Sequence, residues 1–249
     1  MELYTFTELV ENLSPNEPKA LFVFDVDLVI TMAKDLVFHP LTFQRHQQHL
    51  DPLVSVLGEE QEEMMYSLIA ADPERTLVEN TFPDVLKAIY DHGHHALALT
   101  AQLTYSYEGI DNIERRLQEL KGFGIDFSRS FPEIAPFEFT NGVKNFGTLP
   151  YYREGVIFSN GLINPKGKVL KEFFEATGHL PQKVIFVDDV MNNVVSVREV
   201  MLDMGVNCEA YHYKGIEQVL IPAIAAAEAK KAWKKTIERA LVMCANIQN

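Results

Sequence analysis

The stretch Ala20-Leu21-Phe22-Val23-Phe24-Asp25-Val26-Asp27 decides the reading of this chain. Its apolar part, Ala20 to Phe24, is continuous. Strands buried on both faces have that pattern, and they belong mostly to parallel sheets covered by helices. The run ends in two carboxylates at i and i+2, a spacing that lets both face the same way on extended backbone. In an open parallel sheet the carboxyl ends of the strands border the ligand crevice.

Working outward, four more short runs fit strands: His95–Thr100 (HALALT), Val156–Asn160 (VIFSN), Val184–Asp188 (VIFVD) and Cys208–Tyr213 (CEAYHY). Helical patterns separate them. Thr81-Phe82-Pro83-Asp84 offers a cap residue and an early proline for a helix reaching about His92. Further helices are expected over Gly109–Lys121, Lys166–Thr177 and Asn192–Met204, ended by Gly122, Gly178 and Gly205. A long helix is expected from Ile216 to Ala245, bent at Pro222. The alternation predicts a doubly wound parallel α/β sheet. Residues 31–80 are too many for a tight connection and carry their own helical pattern. They are expected to form an inserted helical cap, with residues 1–30 and 81–249, the C-terminal helix included, as the α/β core. Phe131–Asn164 has the character of a hairpin with a long loop.

The chain has 249 residues, with 22 basic against 35 acidic side chains and a net charge of −13. That balance argues against nucleic acid as a partner and against broad attachment to an anionic membrane. The two cysteines, Cys208 and Cys244, match no zinc spacing and suit a reducing compartment. No apolar run approaches the ~18–20 residues of a membrane helix. Glu2, Glu8 and Glu11 stand where a signal peptide carries basic residues. The expectation is a soluble, cytoplasmic chain.

A second acidic pair, Asp188-Asp189, closes the run VIFVD and is followed by Asn192 and Asn193. If those strands are neighbours, four carboxylates meet. Two charges ~4 Å apart repel by about 4 kcal/mol at an effective dielectric of 20, so such a cluster needs a cation or a basic side chain. Ligands that are all oxygen favour Mg²⁺. Lys166-Gly167 opens a helix from which the lysine can lie over the acids, with Lys168 as its rival; a solvated helix-end lysine is the plainer reading. Thr100 closes HALALT, where its hydroxyl and the following N–H groups can grip a phosphate oxygen or form an ordinary turn.

The order of these features, DxD, Thr, Lys-Gly, Asp-Asp, resembles the haloacid dehalogenase-like (HAD) superfamily of phosphohydrolases. FVFDVDLVI is similar to that family's first motif, Thr100 to the second, Lys166 to the third and VDDVMNN to the fourth, over about Ala20 to Tyr213. The pairing of EGVIFSNGLINPKGKVL with KVIFVDDVMNN looks like a poorly characterised bacterial branch. The resemblance implies Asp25 as the nucleophile that takes the phosphoryl group. It implies Asp27 as general acid and then base, its proton held by neighbouring carboxylates. Asp25, the Asp27 backbone carbonyl and Asp189 would hold Mg²⁺; Lys166 and Thr100 would bind the phosphate, and Asp188 and Asn193 would support the site. The substrate class implied is a phosphorylated small molecule or phosphoprotein. A phosphotransferase or mutase of the same superfamily shares these motifs, and a non-catalytic HAD-like binding module is a further alternative. Leu28 and Val29 stand where many members have Gly-Thr, and Ala101-Gln102 follow Thr100 where Asn or Gly is common.

Other residues are weaker candidates. His92, His94 and His95 could bind a transition metal but suit a solvated loop. His46 and His49 share a helix face. Arg45, Arg75 and Arg153 could each read an anion, and Tyr105 and Tyr107 could line a pocket. In the tail, Lys230, Lys231, Lys234 and Lys235 surround Trp233. Ala226, Ala229, Trp233, Ile237 and Leu241 recur at helical spacing and are expected to pack on the core. A helix that binds a membrane surface or a protein partner is the second reading of that tail.

Overall fold

The computed structural model describes residues 1–11, 13, 19–71 and 74–247. The strands are β1 (Glu2–Leu3), β2 (Ala20–Phe24), β3 (Thr31–Ala33), β4 (Arg75–Leu77), β5 (His95–Thr100), β6 (Phe137–Glu138), β7 (Tyr151–Arg153), β8 (Val156–Phe158), β9 (Lys183–Asp188) and β10 (Asn207–Tyr213). The helices are α1 (Thr7–Val10), α2 (Pro40–Arg45), α3 (Gln47–Val54), α4 (Glu59–Ala70), α5 (Phe82–Asp91), α6 (Asn112–Gly122), α7 (Lys166–Thr177), α8 (Met191–Asp203) and α9 (Ala226–Ile247). They fall into two units: Met1–Thr31 with Leu77–Gln218, and Met32–Thr76 with Val219–Asn249.

The first unit is built on an eight-stranded sheet of order β1-β10-β9-β2-β5-β8-β7-β6. The strands from β1 to β8 in that order run parallel, and β7 and β6 close the edge antiparallel. All five residues of β2 are buried. Phe22 and Phe24 pack with α5 and α6, while Leu21 and Val23 pack with α7 and α8. Successive strand side chains point to opposite faces, so a strand apolar at every position needs helices on both sides. The doubly wound α/β architecture read from the sequence is therefore present. Asp111 caps α6 by accepting from the N–H groups of Ile113 and Glu114, which starts that helix three residues later than its sequence pattern. β7 and β8 form the expected hairpin, turned at Glu154-Gly155 with φ of 52° and 76°. The short edge strand β1 lacked the length to show a period.

The second unit holds the ribbon of β3 and β4 and the helices α2, α3, α4 and α9. Here the sequence reading is corrected. The C-terminal helix does not belong to the α/β core; α9 packs against α3 and α4. Its buried stripe is Ala229, Trp233, Ile237, Ala240 and Cys244, whereas Leu241 is 43% exposed. Trp233 Nε1 donates to the Val37 carbonyl at 3.1 Å, which satisfies the one polar atom of a buried indole. Nor is Ile216–Ala245 one bent helix. A 3₁₀ turn covers Gly215–Gln218 and α9 starts at Ala226, because Pro222 has no N–H for a helical ladder. Among the described residues no helix is long and apolar enough to cross a membrane.

Candidate active site

Parallel register brings three strand ends together. Phe24 of β2 lies opposite Val187 of β9 and Ala98 of β5, so Asp25, Asp188 and Thr100 come one to two residues later on adjacent strands. The Asp25 N–H donates to the Val187 carbonyl at 2.9 Å, continuing the ladder past β2. Lys166, the first residue of α7, reaches across. Its Nζ lies 2.7 Å from Asp25 Oδ1 and 2.7 Å from Asp188 Oδ2, and the lysine is 2% exposed. Gly167 explains how α7 gets close enough: an added Cβ would collide with the Ser196 carbonyl on α8. Asp188 also accepts from the Val190 N–H at 2.8 Å and from Asn193 Nδ2 at 3.0 Å. Lys168 is exposed on the far side of the turn.

Asp25, Asp188 and Asp189 each offer an oxygen, and these oxygens lie within 4.8 Å of one another. Burial, reinforced by Asp188 and only partly opposed by Lys166, pushes the Asp25 carboxyl up to about 7. Burial, with the charges of Asp25 and Asp188, raises Asp189 well above the usual carboxylate range. Burial works against the charge on Lys166, but Asp188 and Asp25 outweigh it and raise its pKa. One ammonium thus leaves three carboxylates undercompensated. A hard divalent cation fits this all-oxygen donor set. Among the described residues Asp25 Oδ2 takes no hydrogen bond, while Oδ1 is engaged by Lys166 and the Val26 N–H.

Asp27 sits outside that cluster. Arg116 Nη2 lies 2.8 and 2.9 Å from its two oxygens, and Thr100 Oγ1 donates to it at 3.3 Å. The expectation placed carboxylates beside Asp27; the groups that bond its oxygens are the Arg116 guanidinium and the Thr100 hydroxyl. The Thr100 hydroxyl, expected to grip a phosphate oxygen, is engaged within the protein. The side chain is fully buried, and its hydroxyl faces Asp27 while accepting from the Gln102 N–H at 3.1 Å. Just past Asp27, Leu28 adopts φ 64°, a left-handed conformation that favours glycine.

Sequence reasoning missed Arg116, Gln102 and Glu119. Arg115-Arg116 with Glu119 on a polar helix resembles a solvated face, and no local signal separates them from one. The other candidates are engaged elsewhere. Arg45 and Arg75 donate to the Ile221 and Ile69 carbonyls, and Arg153 pairs with Glu114 and Glu154. His46 bonds the Ile224 carbonyl, and His49 is exposed. His94 is buried with Nδ1 accepting from the Ala20 N–H, His92 bonds the Ala88 carbonyl, and His95 stacks on Phe131. Tyr107 is buried, and Tyr105 lies against Phe146.

Fold and site together define an α/β protein of open, mostly parallel sheet, with a carboxylate–lysine cluster at its strand ends. The chain belongs to the family described as protein of unknown function DUF2608, which matches residues 2–242. An uncharacterized protein of Rickettsia bellii (strain RML369-C) is 26% identical over 117 residues, 46% of this chain. The match spans only 39% of that relative's length. Among solved structures, the chain is similar to the HAD domain of effector protein Lem4 from Legionella pneumophila. Identity is 15%, over 90% of this chain and 98% of that one, with a TM-score of 0.40. For the inactive mutant of that domain the values are 14%, 91%, 98% and 0.39. Likenesses this loose carry no weight beside the sheet order and the site.

Proposed function

We propose that this chain is a HAD-like, Mg²⁺-dependent phosphomonoester hydrolase working through an aspartyl-phosphate on Asp25. The observation that carries the reading is Lys166 Nζ at 2.7 Å from both Asp25 and Asp188, beside the Asp189 carboxylate. Lys166 and the Val26 N–H fix Asp25 through Oδ1, which leaves Oδ2 for attack. A bond forms from Oδ2 to phosphorus, the phosphorus–oxygen bond of the ester breaks, and the leaving oxygen keeps the electron pair and takes up the proton of Asp27. Water then attacks phosphorus and gives a proton to Asp27, the bond from phosphorus to Oδ2 breaks, and Asp25 returns as the carboxylate. Lys166 offsets charge on the phosphoryl oxygens. Asp25, Asp189 and the Asp27 backbone carbonyl would hold Mg²⁺, which supplies further positive charge there. The free thiols Cys208 and Cys244 fit a reducing, cytoplasmic setting.

The test is a phosphatase screen with and without Mg²⁺, using p-nitrophenyl phosphate, sugar phosphates and phosphotyrosine peptides. Turnover is expected only with Mg²⁺ and is expected to vanish in Asp25→Asn. Equal activity of wild type and Asp25→Asn overturns the assignment of the nucleophile. No turnover of any phosphate ester, with no uptake of beryllofluoride, moves the chain to a binding role. Phosphate delivered to a sugar hydroxyl in preference to water identifies a transferase or mutase.

A further inference from the structure

We infer that Arg116 is the positioning residue that fixes the Asp27 carboxylate for the hydrolytic half of this reaction; the inference rests on the function proposed above. Arg116 lies on α6 and is 0% exposed. Burying a guanidinium is costly unless it is paired and hydrogen-bonded. Arg116 is directed inward and held on three sides. Nη2 meets both oxygens of Asp27, Nη1 meets Glu119 Oε1 at 2.9 Å, and Nε donates to Gln102 Oε1. Gln102 is itself fixed, because its Nε2 donates to the Asn112 carbonyl at 2.9 Å. The planar fork of an arginine suits this many-sided grip, and a lysine offers only a point charge.

Asp27 needs such a grip. It lies on the tight turn after β2, where Leu28 is left-handed and the Leu28 N–H donates to the Thr31 carbonyl at 2.8 Å. Its side chain is 25% exposed, so solvent reaches part of it. Arg116 Nη2 bonds both of its oxygens from the protein side. In the second half-reaction water forms a bond to phosphorus and gives its proton to Asp27. The bond from phosphorus to Asp25 Oδ2 breaks, and its electron pair returns to the Asp25 carboxylate. A carboxylate pinned from behind accepts that proton from a fixed place, and misplacement of a catalytic group by about 1 Å can cost on the order of 100-fold.

The experiment uses p-nitrophenyl phosphate, whose phenolate leaves without a proton donor, so that loss of positioning falls on hydrolysis. Wild type, Arg116→Met, Arg116→Lys, Asp27→Asn and the Asp27→Asn/Arg116→Met double variant are compared, with thermal unfolding followed for each. Arg116→Met is expected to lower kcat by about 10-fold or more, with KM within about twofold. It should also give a burst of p-nitrophenolate equal to the enzyme concentration and an aspartyl-phosphate trapped by acid quench. Arg116→Lys should recover part of kcat, and Arg116→Met should cost nothing further in the Asp27→Asn background. Wild-type kcat in Arg116→Met, a loss without a burst, or an equal loss in both backgrounds overturns the inference and leaves the phosphatase reading standing. A wild type that turns over no phosphate ester overturns both.

Discussion

Lys166 and Arg116 are both buried, and each lies between two carboxylates: Lys166 between Asp25 and Asp188, Arg116 between Asp27 and Glu119. Their charge balance differs. Around Lys166 three carboxylates, those of Asp25, Asp188 and Asp189, face one cation. Around Arg116 the carboxylates of Asp27 and Glu119 face two, because Arg115 also reaches Glu119, at 3.2 Å. The first cluster is deficient in positive charge, and burial, with the neighbouring carboxylates, displaces the Asp25 and Asp189 carboxyls upward. In the second, each carboxylate is held by a guanidinium. A deficient cluster has room for an added cation, while one whose carboxylates are held in this way keeps its members in place.

Three experiments press on that difference. Lys166→Met removes the only cation bonded to Asp25 among the described residues and leaves buried acids unpaired. Stability is expected to fall by about 3–5 kcal/mol, read from urea unfolding without metal. A loss below about 1 kcal/mol breaks the comparison, since the lysine would then not be compensating buried charge.

The pH dependence of the metal-free protein sharpens it. Asp25, raised to about 7 by burial and Asp188, binds its proton more tightly folded than unfolded. The resulting stabilisation is present below the ordinary carboxylate range and disappears as pH rises through about 7. Asp189 acts in the same direction. In EDTA, Tm is expected to fall between pH 6 and 8, and Mg²⁺ should recover most of the loss at pH 8. A Tm that is flat or rises over that interval shows that the acids are compensated without a metal.

The smallest effect is the control. Lys168→Ala removes an exposed lysine and is expected to shift stability by no more than about 0.5 kcal/mol and to leave turnover unchanged. A large effect would mean that position along α7, and not burial, selects the lysine.

The two clusters were unequally legible in the sequence. The strands that carry the acids are short apolar runs, and parallel pairing fixes their ends side by side, so Asp25 and Asp188 could be brought together on paper. Lys166 stands beside a glycine at a helix start, a pattern with a physical cause in the close approach of α7 to α8. Arg116 lies in NIERRLQELKG, where charges on every side hide which face is buried. Only the docking of α6 decides that, and docking is a tertiary fact. The same holds for α9. Its apolar stripe was visible, but nothing in its spacing says which apolar surface it covers, and Ala240 and Cys244 replaced Leu241 once α3 and α4 supplied that surface.

That pairing of α9 with α3 and α4 has a consequence for synthesis. Leu50, Met64, Met65 and Leu68 are buried in a unit that lacks part of its apolar cover until Ala226–Ile247 has been made. At about 5–20 residues per second, the ribosome needs on the order of ten seconds or more to supply it. During that interval the apolar faces of α3 and α4 have yet to receive α9.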